Sequence, residues 1–323
     1  MLWRLLELLL NKSANSSSNF ERPKGLRVMI IGGGRSEFVK HASGAEEQNE
    51  LGKPNLEALE TQPFEIQGHG KVILVDTPGF DDLDNISVAS LHAIGNYVIK
   101  LHESCRPLDA VVFLHSITEE TRLVGIPELL TKFLGQRFLP SVSIVTTNWE
   151  ELAPDYGAKR EEKLIEFYSE HLKGAQVIQH QQQLTATTCP EIMQKIIRQL
   201  KLGRPRPLRI QIELVNQRRS LNATGAGLEF IRRMTESIRH VESRIRKIPA
   251  GTFHNPGESN KDAIERQSVE RQRQDLEARV TRLWEELKSF LHSGDSSITN
   301  VPQGSWIRWF KNLVGIRTTN ALA

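Results

Sequence analysis

The sequence predicts an α/β protein, with a doubly wound, mostly parallel sheet followed by a helical coiled-coil arm. Three observations predict it. From Leu26 to about Lys201, short apolar runs alternate with amphipathic segments, the pattern of strands covered by helices on both faces of one sheet. The run Val72 to Val75 ends in Asp76-Thr77-Pro78-Gly79, a buried strand delivering a carboxylate to the edge where such sheets bind ligands. Beyond Arg204-Pro205-Arg206-Pro207 the composition turns to Arg, Glu, Gln and Leu, and apolar residues take up heptad spacing.

Leu26 to Ile31 is the first strand, and it runs into Gly32-Gly33-Gly34-Arg35-Ser36, from which a helix over Ser36 to Ala42 can start. Pro63 to Ile66 and Val72 to Val75, parted by Gly68-His69-Gly70, form a hairpin. Ser87 to Glu103 is an amphipathic helix and Ala110 to His115 a buried strand. Ile126 to Leu134 is helical, Val142 to Thr146 is a strand, and Ala158 to Leu172 is a longer helix with Arg160, Glu161 and Glu162 outward. Pro190 to Leu200 is the last helix, with Pro190 in its first turn. The chain then divides into a leader and linker over 1–25, the α/β domain over 26–203, the arm over 204–292, and a linker with an amphipathic tail over 293–323.

In the arm, Ile231, Met234, Ile238, Val241, Ile245 and Ile248 keep the three-four spacing, and so do Val269, Leu276, Val280, Leu283, Leu287 and Phe290, with Arg273 as the polar intruder. Two such helices joined by the intervening loop can fold back as an antiparallel hairpin, or each can pair with a second chain, so self-association or a protein partner is open. In the tail, Trp306, Trp309, Phe310 and Leu313 share one helical face with Arg308 and Lys311 on others, which suits either peripheral membrane contact or docking on the protein itself. The first ten residues suit a short docking helix better than an export signal, because Arg4 and Glu7 interrupt the apolar run.

The totals narrow the function classes. A chain of 323 residues with 38% hydrophobic and 25% charged residues can bury a sizeable core. Its formal charge of +3 is too mild to argue for nucleic acid, and the Arg residues of the arm alternate with Glu as a solvated ion-pair face would. The 2 cysteines lie far apart without metal or redox spacing, so a reducing, cytoplasmic setting is the default. No apolar run reaches the roughly 18 residues of a membrane-spanning helix.

The chemistry-bearing stretches are the glycine run and the strand ending in Asp76. A phosphate-binding loop places glycines so that backbone N–H groups curl round a phosphate, a Lys as a compact cation, and a Ser or Thr on Mg²⁺. Gly34-Arg35-Ser36 fit that frame, but the first glycine of G-x-x-x-x-G-K-S/T would fall at Met29, and Arg35 stands where Lys is expected. Glu37 adds a carboxylate beside Ser36. Asp76 occupies the position of a Mg²⁺-binding carboxylate, and Gly79 lets a backbone N–H approach a γ-phosphate, although a strand ending in a Pro-Gly turn needs no ligand at all. His115 ends a strand at the same edge and could meet a phosphate or simply be packed.

The strings VILVDTPGFDD, VVFLHSI with Arg122 and Gly125 downstream, VTTNWEEL, Arg160-Glu161-Glu162 and ELVNQRRSLNATGAG occur in that order between Leu26 and Ile248. In this the chain resembles the G-domain proteins common in filamentous fungi, related to the immunity-associated (GIMAP-type) GTPases of the P-loop class. The resemblance implies a Ras-like G domain that binds GTP or GDP with Mg²⁺. It assigns the Mg²⁺ hydroxyl to Ser36, the Mg²⁺ and γ-phosphate positions to Asp76 and Gly79, and the switch threonine, also a metal ligand, to Thr61. Gly32, Gly33, Gly34 and Arg35 line the phosphate loop, and Thr147 and Glu150 fall in the base-recognition string, where Glu150 stands for a shorter Asp. Trp149 in that string either stacks on a base or packs in the core. Where the family has Arg after the strand-end His, this chain has Ser116, leaving Arg122 as the nearby basic residue. Two functions follow: a guanine-nucleotide switch with weak hydrolysis, or a pseudo-GTPase scaffold acting through its arm.

Overall fold

The computed structural model describes residues 25–44, 59–77, 87–119, 125–200, 206–248 and 260–292, with side chains in the last stretch from 267 onward. The leader, Gly79, Arg122, the 249–259 connection and the aromatic tail lie outside the described residues.

Strand β1 (Leu26–Gly32) is followed by helix α1 (Arg35–Ser43), and the hairpin of β2 (Phe64–Ile66) and β3 (Gly70–Asp76) by helix α2 (Val88–Glu103). Then come β4 (Ala110–Ser116), α3 (Ile126–Leu134), β5 (Val142–Thr147), α4 (Pro154–His171), β6 (Gln176–Ile178) and α5 (Thr188–Gln199). The six strands form one sheet in the order β2-β3-β1-β4-β5-β6, parallel except for β2 on β3. The hairpin turns where the sequence predicts, with Gly68 and Gly70 both at positive φ, a conformation open to glycine without strain. Several starts are earlier than predicted: α1 begins at Arg35, β3 at Gly70, α4 at Pro154 and α5 at Thr188, so Pro190 is the third residue of its helix. The short edge strand β6 carries too few residues to show a period.

Alternation along the central strands sends side chains to two cores. Met29, Ile31, Val75, Val111, Phe113 and Ile144 face one way, toward α2, α3 and α4. Val28, Ile30, Val72, Leu74, Val112 and Leu114 face the other, toward α1 and α5. Four strands buried on both faces explain their nearly continuous Val, Ile and Leu runs.

The segment after the proline-rich stretch returns to the sheet domain. Leu208 and Ile210 are buried in the first core, and Gln211 Nε2 donates to the Val98 carbonyl at 2.8 Å. A helical turn (Arg209–Gln211) continues as a π-helical stretch (Ile212–Asn216), whose buried Glu213 accepts the Gly225 backbone N–H at 2.7 Å. That bond, with Thr224 Oγ1 accepting from Gly227 N at 3.0 Å, satisfies the first amides of helix α6 (Gly225–Lys247).

Helix α6 and helix α7 (Asn260–His292) form the outermost layer. Phe230 near the start of α6 meets Phe290 near the end of α7 with ring centroids 5.1 Å apart, so the two helices run antiparallel. Asn222 Nδ2 donates to the Phe290 and Leu291 carbonyls at 3.2 and 3.1 Å, closing the C-terminus of α7. Ile231, Met234, Ile238, Leu287 and Phe290 of the predicted heptads are buried, sharing a cluster with Leu91 of α2 and Leu129 of α3. The intruding Arg273 pairs with Glu277 one turn on, at 2.9 Å. Among the described residues no helix is long and apolar enough to cross a membrane.

Candidate functional site

Strand β1 lies between β3 and β4, so the chain leaves its C-terminal end where the strand order reverses, the place at which open α/β sheets form a ligand crevice. The register aligns Ile30 with Asp76 and Gly32 with Leu114, and on the next strands His115 with Thr146 and Ser116 with Thr147. The glycine run, Asp76, His115 and the Thr147 string therefore share one edge.

Gly32 has φ 104° and lies so close to β4 that a Cβ there would stand 2.0 Å from the Leu114 carbonyl oxygen. Gly34 has φ 75° and precedes α1 without a side-chain cap, leaving the first amides of the helix to another acceptor. A Cβ on Gly33 or Gly34 would meet nothing within 4 Å, so the backbone of the loop is open on that side. Below it, Ser36 Oγ donates to Asp76 Oδ2 at 2.8 Å, and Arg35 Nε lies 3.2 Å from Asp76 Oδ1. Arg35 Nη1 also reaches the Gly32 carbonyl at 3.5 Å, at the outer limit of a hydrogen bond. Thr77 Oγ1 donates to the Ile30 carbonyl at 2.8 Å from a fully buried position, locking the end of β3 onto β1. The hydroxyl of Ser36 and the carboxylate of Asp76 are hard oxygen donors of the kind Mg²⁺ takes, so the pair fits that ion. The charge of the carboxylate is, however, already matched by Arg35.

Thr61 is placed elsewhere. Its Oγ1 accepts the Leu74 backbone N–H at 3.0 Å and its own N–H donates to the Leu74 carbonyl at 2.9 Å, so it extends the hydrogen bonding of β3. Its neighbour Glu60 is held by Tyr97 Oη at 2.8 Å and by Arg27 at 3.3 Å. Ser36, Arg35 and Asp76 are brought together, and Thr61 has none of them among its described contacts.

At the end of β5 the Thr147 side chain is buried, and its carbonyl accepts the Ile117 N–H at 2.9 Å. Asn148 takes φ 62°, turning the chain so that Glu150 is exposed. Trp149 goes the other way, into the core: its Nε1 donates to Thr146 Oγ1 at 3.0 Å, and Gly157 is so close that a Cβ there would lie 2.7 Å from the indole. The packed alternative for Trp149 is the one the fold adopts.

Glu161 corrects the sequence expectation of an outward side chain. It is 1% exposed and accepts from Thr146 Oγ1 at 3.1 Å and from Gln181 Nε2 at 3.0 Å, which tie α4 to the end of β5 and to the segment after β6. A signal existed, because Glu161 stands in helical register with buried Gly157, Leu164 and Tyr168.

His115 is 1% exposed, edge-on to Tyr168 with centroids 5.9 Å apart, and neither ring nitrogen has a hydrogen-bond partner among the described residues. Burial, helped by the positive charge of Arg160, pushes its pKa down to about 4, while the Glu119 backbone favours the charged form weakly. The neutral ring is therefore the native form, and the unfolded chain takes up the proton first. This contribution to stability is complete above the unfolded value of about 6.5 and is lost as pH falls toward the folded value, by about 2 kcal/mol between pH ~7 and pH ~5. Urea unfolding at the two pH values checks this: His115→Phe is expected to lack that part of the loss, and an unchanged pH dependence would contradict it.

No family model matches the chain, and no curated protein does. Solved structures with some likeness include translation elongation factor SelB from Methanococcus maripaludis in its apo form, at 14% identity and TM-score 0.37, covering 57% of this chain and 36% of that one. Another is a dimerization-deficient mutant of Toc33 from Arabidopsis thaliana, at 15% identity and TM-score 0.41, covering 62% and 91%. A third is an Aquifex aeolicus Era variant bound to GDP·AlF4⁻, at 16% identity and TM-score 0.38, covering 67% and 68%. At scores this low the likenesses carry no weight, and the α/β assignment stands on strand order and register.

Proposed function

We propose that the protein binds a guanine nucleotide through a G domain and hydrolyses it weakly or not at all. The observation that carries the reading is the pairing of Ser36 with Asp76 at 2.8 Å beneath the open backbone of Gly33 and Gly34, at the reversal of strand order. Those amides and the unfilled N-terminus of α1 offer a cradle for a phosphate. Mg²⁺, when bound, would neutralise phosphate charge, and Ser36 and Asp76 would hold it. The exposed Glu150 would accept the two N–H groups on the guanine edge, with Thr147 shaping the turn that presents it. Weak hydrolysis is inferred from the loop, which runs only from Gly32 to Ser36, three residues short of the G-x-x-x-x-G-K-S/T spacing, and has Arg35 in place of a compact Lys.

A second reading makes the α6–α7 pair the working part. It is favoured by the apolar cluster that joins this pair to α2 and α3, because α2 directly follows the stretch containing Gly79. In a switch, a change at that stretch would reach the helical pair through α2. In a scaffold, the contact would stay fixed.

Titration of the full chain with a fluorescent GTP analogue, competed by GDP and by ATP, separates these. The proposal predicts roughly micromolar affinity, displaced by GDP and not by ATP. No binding at about 100 μM would leave only the scaffold.

A further inference from the structure

A cation meant only for phosphate would point from the loop into the open cradle. Arg35 instead turns back across the ends of β1 and β3, 3.2 Å from Asp76 Oδ1 and 3.5 Å from the Gly32 carbonyl. The other oxygen of the same carboxylate accepts from Ser36. Both oxygens of Asp76 are thus engaged by the two residues that would otherwise serve phosphate and metal.

From this geometry we infer that Arg35 is the resident counter-cation of Asp76, so that a nucleotide binds here with little dependence on a divalent ion. The inference rests on the nucleotide reading above. A divalent cation entering the site must displace either the guanidinium or the Ser36 hydroxyl. Asp76 and Arg35 together carry no net charge, so the pull on it comes from the phosphates of the nucleotide and not from this pair. Among the described residues no group of three or more acidic, His or Cys side chains could hold a metal and make up the difference. The acid nearest in sequence, Glu37, faces His41 at 3.5 Å and is largely exposed. The ion pair is partly shielded, with side chains 15% and 23% exposed, so water weakens it less than it would a surface pair.

The guanidinium can serve both partners at once. It carries five N–H groups in a planar fork, so it can keep Asp76 and still donate to phosphate oxygens, bridging carboxylate and phosphate as a divalent ion would. A lysine ammonium is a point charge without that fork, and in its place Asp76 would be more open to a metal.

The test is the affinity of the full chain for a fluorescent GDP analogue, measured with chelator and with excess Mg²⁺, for the native protein, Arg35→Lys and Arg35→Ala. The native affinity is expected to change by no more than about threefold between the two conditions. Arg35→Ala is expected to bind about tenfold or more weakly in chelator and to recover much of that loss with Mg²⁺, and Arg35→Lys to show a Mg²⁺ effect of about tenfold. A native protein that needs Mg²⁺ by tenfold or more overturns the inference while leaving the nucleotide reading intact. The inference is also overturned if both variants are as indifferent to Mg²⁺ as the native protein. No binding in any condition overturns the nucleotide reading and the inference together. Circular dichroism of each variant confirms that it is folded, and the conservative lysine carries the test if alanine is not.

Discussion

Replacing Gly32 with alanine is expected to destabilise the protein by about 3 kcal/mol or more, and in practice to leave little soluble protein. Two costs add at this position. The backbone sits at φ 104°, a region that L-residues rarely adopt, and the new methyl would be driven to 2.0 Å from the Leu114 carbonyl. The obstacle is the backbone of a central strand that is hydrogen-bonded on both sides, so it cannot step away as a side chain could. Alanine at Gly33, where φ is not positive and a Cβ has open space, is the matched control and is expected to cost less than about 1 kcal/mol. Urea unfolding of the two variants checks the difference, and equal stabilities would contradict the close packing of β1 on β4.

Removal of Glu229 from helix α6 is expected to have an effect of similar size. Glu229 is 5% exposed and Arg233 8% exposed, and they are paired at 2.8 Å on α6. Arg232 closes on the same carboxylate at 2.6 Å. The Arg233 guanidinium lies where a Cβ on Gly125 would be, so the glycine before α3 makes room for it. Glu229→Ala would leave Arg233 buried without its counter-charge, at a cost of about 3 kcal/mol. Glu229→Leu combined with Arg233→Met is expected to recover most of this, because no buried charge is then left unpaired and the exposed Arg232 keeps Glu236. Burial alone would raise the Glu229 carboxyl, but the hydrogen bond from Arg232 and the charges of Arg233 and Arg232 outweigh it and hold it below its ordinary value. A depressed acid stabilises the fold above its unfolded value, near 4.3, and that share is lost as pH falls through the folded value. Thermal unfolding at neutral pH checks the main claim, and a Glu229→Ala loss under about 1 kcal/mol would contradict it.

Much of the sheet was legible in the sequence because its central strands are buried on both faces and their Val, Ile and Leu runs have no competing period. The hairpin was legible because Gly68 and Gly70 mark its turn, and α6 and α7 because burial follows their heptads. What could not be read was set by packing between distant segments. Nothing near Trp149 tells that Gly157 comes close enough to bed the indole in the core. The 206–216 segment follows a proline-rich stretch that looks like a hinge, yet Leu208 and Ile210 fill a gap beside α2. Glu161 is a case where charge points outward while helical register, with Gly157, Leu164 and Tyr168, points inward, and the register prevails. Residue types single out Ser36 and Asp76, which the fold brings into contact, but the turn of Arg35 toward Asp76 depends on a register between β1 and β3 that the sequence does not state.

The most direct test of the central claim is to follow the amide resonances of ¹⁵N-glycine-labelled full-length protein as GDP is added, with Gly33→Ala and Gly34→Ala used for assignment. Gly32, Gly33 and Gly34 are expected to shift most, and ATP at the same concentration is expected to leave them in place. A spectrum that GDP does not change, or shifts confined to glycines such as Gly225 and Gly227 at the start of α6, would contradict it.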